Sequence, residues 1–93
     1  MLAALLKKGE WDSTRRELQQ VQADLARINA DQDRIRKNLR ETPEAAEVYK
    51  KYLKKLDDQE KEIDTLTDKQ KALMAGEFKA KKAYEDYLGN LSD

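Results

Sequence analysis

The sequence contains no cysteine and no histidine. The first absence excludes disulfides, thiolate nucleophiles and cysteine metal sites, and leaves no redox compartment to read. The second removes the commonest general base and metal ligand. Glycine occurs 3 times and proline once in 93 residues, so no glycine-rich loop is present to cradle a phosphate. Aromatics make up 6% of the chain, too little bulk for a wide globular core. The longest apolar run is MLAALL at the start, far short of the roughly 20 residues that span a bilayer. No basic residues precede it, so it reads as a poor signal peptide. The chain is expected to be soluble as given, with its compartment unread. Basic and acidic residues number 19 each, which argues against a general nucleic-acid coat but not against a local patch.

What is abundant is charge, at 41% of residues, mixed with Ala and Leu. That is the composition of long helices and coiled coils. Leu18, Val21, Leu25, Ile28, Gln32, Ile35 and Leu39 are spaced three and four apart, a heptad seam. Trp11 extends it backward by seven. Tyr49, Tyr52, Leu56, Gln59, Ile63, Leu66 and Leu73 continue the same rhythm in the second half, with Ala45 before them. Gln70, Glu77, Ala80, Tyr84, Tyr87 and Leu91 carry it onward. Gln70 and Glu77 are poor seam residues and predict looser packing there.

Pro43 decides the architecture. Inside a helix it would cost about 3 kcal/mol, whereas in a first turn its missing N–H costs nothing. Thr42 before it is a natural N-cap and Glu44 suits the positive end of a helix. The sequence therefore predicts helix one over 13–41, with Asp12, Ser13 or Thr14 as caps and a Thr14–Glu17 capping box. Helix two is predicted over 43–90. A short connection favours antiparallel neighbours. Folding about residue 42 makes seam partners total 84. Ile35 then meets Tyr49, Gln32 meets Tyr52, Ile28 meets Leu56 and Leu25 meets Gln59. Val21 meets Ile63, Leu18 meets Leu66, Thr14 meets Gln70 and Trp11 meets Leu73. The glutamines read as register-setters. Residues 2–8 read as a separate short helix or arm, broken from helix one at Gly9. Leu2, Leu5 and Leu6 in it are out of phase with Trp11. The arm either docks on Tyr84 and Tyr87 or leaves that end to another chain.

The expected fold class is all-α, an antiparallel two-helix coiled-coil hairpin forming one module over 1–93. Its thin seam and flanking Ala46, Leu53, Met74, Phe78 and Leu88 predict self-association into a helical bundle. Asp57, Glu60 and Asp64 share a face but lack the histidine of a di-iron bundle and the glycine of a calcium loop. A solvated helix face is the plainer reading, so no catalytic residue, metal, cofactor or small-molecule ligand is expected. The tip is basic. Residues 34–55 hold Arg34, Arg36, Lys37, Arg40, Lys50, Lys51, Lys54 and Lys55 against Glu41, Glu44 and Glu47, a net of +5. Balanced by −5 elsewhere, this predicts a charge dipole along the hairpin. Arg36, Arg40, Lys50, Lys51, Lys54 and Lys55 form the candidate contact tip. Interleaved Tyr49 and Tyr52 would suit an RNA-contacting arm, but their seam positions favour burial. An acidic protein surface ranks ahead of nucleic acid.

The stretches DQDRIRKNL, YKKYLKKLDDQEKEIDTL and YEDYLGNL, in that order, resemble the C-terminal helical hairpin of the mucoidy-inhibitor-A-like family of bacterial proteins. The matching positions are Asp31, Gln32, Arg34, Ile35, Arg36 and Asn38, then Lys55, Leu56, Gln59 and Glu60, then Tyr87, Leu88 and Leu91. The resemblance covers roughly residues 15–91. It implies a module excised from a parent with a β-rich domain and further helices, and it makes Gln32 and Gln59 paired interior positions. The family has no defined activity, so none is implied. The expected partners are a second copy or the parent's own domains.

Overall fold

The structure, a computed structural model, describes residues 2–91. Helix α1 runs Leu2–Arg40 and helix α2 runs Glu47–Leu91. No strand occurs among the described residues, and the chain is an all-α helical hairpin. It divides into two compact units. One joins the stretch up to Gln22 with the stretch from Lys69 onward, and the other is Ala23–Asp68.

Both helices differ from their expected limits at one end. There is no break at Gly9, because α1 is continuous from Leu2. Glycine in a helix interior costs only about 1 kcal/mol relative to alanine, which 39 residues of helix absorb. The seam simply extends backward in phase through Ala4, Lys7, Trp11 and Thr14, all half-buried. Leu2, Leu5 and Leu6 face outward, 73%, 66% and 61% exposed; Met1 of that stretch lies outside the described residues. Thr14 is no cap. Its hydroxyl donates to the Glu10 carbonyl at 2.9 Å, the back-bond of a mid-helix threonine.

The corner also differs. Helix α2 begins at Glu47, not at Pro43. Thr42 belongs to the end of α1: its hydroxyl donates to the Asn38 carbonyl at 2.7 Å. The Glu41 and Thr42 amides donate to Asn38 and Leu39, tightening the last turn to a three-residue spacing. Lys37 and Arg40 lie in that turn and suit its negative pole. Ala46 then donates to the Pro43 carbonyl at 3.0 Å and accepts from Tyr49 at 3.1 Å. Pro43 closes a turn, and α2 starts after it with Glu47 at its positive pole.

The longer corner moves the register. In the Ala23–Asp68 unit, Gln59 meets Asp31 and Gln32 meets Glu60, so partners total 90 and 92, centred on 91. In the other unit Trp11 meets Glu77, Gly76 lies against Thr14 and Lys7 lies over Tyr87, with totals of 88, 90 and 94. The expected 84 is thus wrong by one heptad. Seven residues preserve every seam position while changing every partner. In the observed register Gln32 and Gln59 share one layer. Ile28 falls level with Ile63, Ile35 with Leu56, Leu25 with Leu66, and Leu18 with Leu73.

Val21, Ile28 and Ile35 are buried. Leu18, Leu25, Leu39, Tyr49, Tyr52, Leu56, Ile63, Leu66 and Leu73 are half-buried, and Ala45 and Leu91 are exposed. The unit made from the chain's two end stretches is organised around Trp11. Its Nε1–H donates to Glu77 Oε1 at 2.8 Å, and its ring centroid lies 5.9 Å from that of Tyr84 at a 36° tilt. The Arg15 guanidinium sits 4.9 Å and the Lys81 ammonium 6.0 Å from the indole centroid. Glu77, expected to loosen the seam, is here the acceptor that satisfies a half-buried indole.

Candidate functional site

The features that carry chemistry converge in the Ala23–Asp68 unit. The first is the polar layer inside the seam. Gln32 and Gln59 are 3% and 8% exposed, and buried amides must find partners. Gln59 Nε2 donates to Asp31 Oδ2 at 2.7 Å. Gln32 Nε2 donates to Glu60 Oε1 at 3.4 Å, and its Oε1 accepts from Arg36 Nη2 at 3.4 Å. Gln59 Oε1 is buried with no partner, a cost of about 1–3 kcal/mol for a neutral acceptor. The layer therefore spends stability on specificity.

Asp31 is the pivot, and in the sequence it stood out only as one position of the family resemblance. Arg34 donates to its Oδ1 through Nη2 at 2.8 Å and Nε at 3.0 Å, and Lys55 Nζ stands 3.4 Å from its Oδ2. The Arg34 bonds, then the Gln59 amide, then Lys55, outweigh partial desolvation and hold its carboxyl down at about 2. The signal available in sequence was the Asp31-to-Arg34 spacing of three beside a buried seam position. A shallow groove of roughly 640 Å³ runs along this flank, lined by Asp31, Arg34, Lys55 and Gln59 with Arg27, Ile28, Ala30 and Glu62. Its charges are of both signs, and Arg34 and Lys55 already close on Asp31. Its firmest chemistry is to lock α1 to α2 in one register.

The opposite flank is built differently. Arg36 lies 3.6 Å from Asp33 and 3.7 Å from Glu60. Nearer the corner Lys37, Arg40, Lys50, Lys51 and Lys54 are exposed, and none of the ion pairs among the described residues engages them. Of the candidate tip cations, then, Arg36 and Lys55 are engaged and Arg40, Lys50, Lys51 and Lys54 remain available. Tyr49 and Tyr52 are half-buried in the seam, so their rings are not free stacking platforms. Asp57 pairs with Lys61 at 3.3 Å; among the described residues no group of three acidic side chains is placed to hold a metal ion.

The charge pattern sharpens as well. Residues 23–33 and 56–68 carry nine acidic residues against Arg27 and Lys61, a net of −7. They flank the +5 tip in sequence and belong to the same unit as it. The remaining stretches, 1–22 and 69–93, sum to +2. The expected dipole along the whole hairpin is replaced by one confined to the Ala23–Asp68 unit.

Fold and geometry define a class: a helical hairpin with a coiled-coil seam and a polar register layer. Compared with family models, with curated proteins and with solved structures, the chain gives no match. No helix among the described residues is long and apolar enough to cross a membrane.

Proposed function

We propose that this hairpin is a non-catalytic structural module that works by associating through its helix faces, with a second copy of itself as partner. One observation carries the reading. Among the described residues the buried apolar side chains are Val21, Ile28 and Ile35, whereas nine large apolar side chains are exposed, among them Leu2 at 73%, Phe78 at 66% and Met74 at 54%. So small a core supplies little stability alone, and oligomerisation is a standard remedy. A second hairpin alongside would turn the half-buried seam into the interior of a four-helix bundle. The resemblance to the mucoidy-inhibitor-A-like hairpin supports the same class of role, with parent domains as a competing occupant of these faces. Light scattering across a dilution series tests it: mass rising with concentration is expected, and a strict monomer at the highest concentration reached overturns it.

A second reading, an RNA-binding arm, rests on Lys37, Arg40, Lys50, Lys51 and Lys54, which belong to no ion pair among the described residues. Fluorescence anisotropy with single-stranded RNA at low salt tests it. Binding that falls steeply with salt and disappears in Lys50→Glu/Lys51→Glu/Lys54→Glu/Lys55→Glu supports it; no binding at low salt sinks it.

A further inference from the structure

The two flanks of the Ala23–Asp68 unit can be told apart by their contacts. Arg36 and Glu60 each follow a seam residue and lie 3.7 Å apart, so residues one place after the seam share a flank. Asp31 and Lys55 each precede a seam residue and lie 3.4 Å apart, which defines the other. On that second flank Arg34 and Lys55 both close on Asp31, so one acidic residue gathers its central cations. The first flank grades from basic to acidic. Moving away from the corner, it presents Arg40 and Lys50, then Arg36 and Leu53, then Asp33 and Asp57. Arg40 and Lys50 belong to no ion pair among the described residues. Leu53 is 47% exposed in the middle of this charge gradient. Arg36 at the centre is neutralised within the chain by Asp33 and Glu60.

We infer that this flank is a self-complementary docking surface whose occupant is a second copy of the chain, antiparallel and related by a two-fold axis near Leu53. The inference rests on the self-association proposed above and names one surface for it, with Leu53, one of the nine exposed apolar side chains, at its centre. A two-fold contact requires that the partner of each residue find the same pairing reversed. Laid antiparallel, Lys50 of one copy faces Asp57 of the other while Asp57 faces Lys50. Arg40 faces Asp33 in the same reciprocal way, and Leu53 meets Leu53 at the axis. On α2 the paired numbers total 107 and on α1 73, and in the observed register both centres fall at nearly the same level of the hairpin. Tip on acidic belt is the favourable arrangement; a parallel pairing would set tip against tip, which like-charge repulsion opposes. Asp57 must release Lys61 and Asp33 must share Arg36, but these are exposed pairs that exchange at little cost.

Charge swapping tests the geometry directly. One variant carries Arg40→Glu with Lys50→Glu, the other Asp33→Lys with Asp57→Lys. None of these positions lies in the seam, and circular dichroism checks that helix content is kept. By sedimentation equilibrium at low salt each variant alone is expected to self-associate about tenfold more weakly than the wild type. Their equimolar mixture is expected to recover wild-type association, because each reversed end then meets its complement. The neutral variant Arg40→Gln/Lys50→Gln is expected to weaken association and flatten its salt dependence, so the test does not hang on reversal alone. If the wild type associates but the variants associate equally well, or the mixture recovers nothing, this surface is wrong while self-association stands. If the wild type is monomeric, both fall.

Discussion

Asp31 shows how one exposed-flank carboxylate can support a buried layer. Its carboxyl, held at about 2 against an ordinary 3.8, stays ionised in the folded chain under conditions where the unfolded chain would take up a proton. A depressed native value means that its contribution to stability is fully present above about pH 4 and is lost as pH falls from there towards 2. Urea titrations over that range are expected to show the wild type losing stability more steeply than Asp31→Asn, with the two slopes converging near neutrality. Equal slopes would show that the Arg34 and Gln59 bonds do not persist in solution. Gly9 gives a second residue-scale expectation. A methyl built at its Cβ meets nothing within 4 Å, and the helix runs through it. Gly9→Ala is therefore expected to stabilise by about 0.5–1 kcal/mol, read as a raised urea midpoint. A destabilised variant would restore the break that the sequence suggests there. Trp11→Phe keeps an aromatic ring but removes the donor to Glu77 and part of the contact area, and a loss of at least about 1 kcal/mol is expected in the same assay.

At the scale of the helices the seam was legible and the register was not. Leucine, isoleucine and valine at three-and-four spacing specify which face of each helix is buried, because only that stripe can be covered by one neighbour. Heptads repeat, so sliding one helix by seven residues leaves the stripe intact. The choice then falls to the corner and to the polar layers. The corner departs from the expectation because Thr42–Pro43 has the chemistry of a helix start, whereas Thr42 instead bonds back to Asn38. The polar layers held the missing signal. A total of 84 sets Gln32 against Tyr52 and Gln59 against Leu25, but 91 sets the two glutamines together. Matching polar with polar would have selected the observed register from sequence. Paired cysteines check it. Ile28→Cys with Ile63→Cys is expected to form a disulfide on mild oxidation, while Ile28→Cys with Leu56→Cys is offset by about 10 Å of helix and is not. In a Gln32→Leu/Gln59→Leu background, stability is expected to rise by about 1–3 kcal/mol while the discrimination between those two cysteine pairs narrows, because the polar layer no longer penalises the slipped register. Unchanged discrimination would assign register to the corner alone.

For the whole molecule, the helical class, the buried stripes and the excess of charge are already fixed in the order of residues along the chain. These follow from local periodicity and composition, which need no knowledge of what lies opposite. The order of residues also determined that a basic tip exists, since eight of that stretch's charges are basic and three acidic. Only the tertiary structure decided that Arg36 and Lys55 are claimed across the seam, because Glu60 and Asp31 on the opposite helix are brought level with them by the register; the Arg34–Asp31 pair lies within α1. It likewise decided that Leu2, Leu5 and Leu6 face outward on a continuous α1, and that Glu77 accepts from the Trp11 indole. The physical reason is the same in each case. A heptad prescribes a face, but which residue stands across from it depends on how many residues the corner consumes, and that number appears only in the bonds that close the corner, from Thr42 to Asn38 and from Ala46 to Pro43.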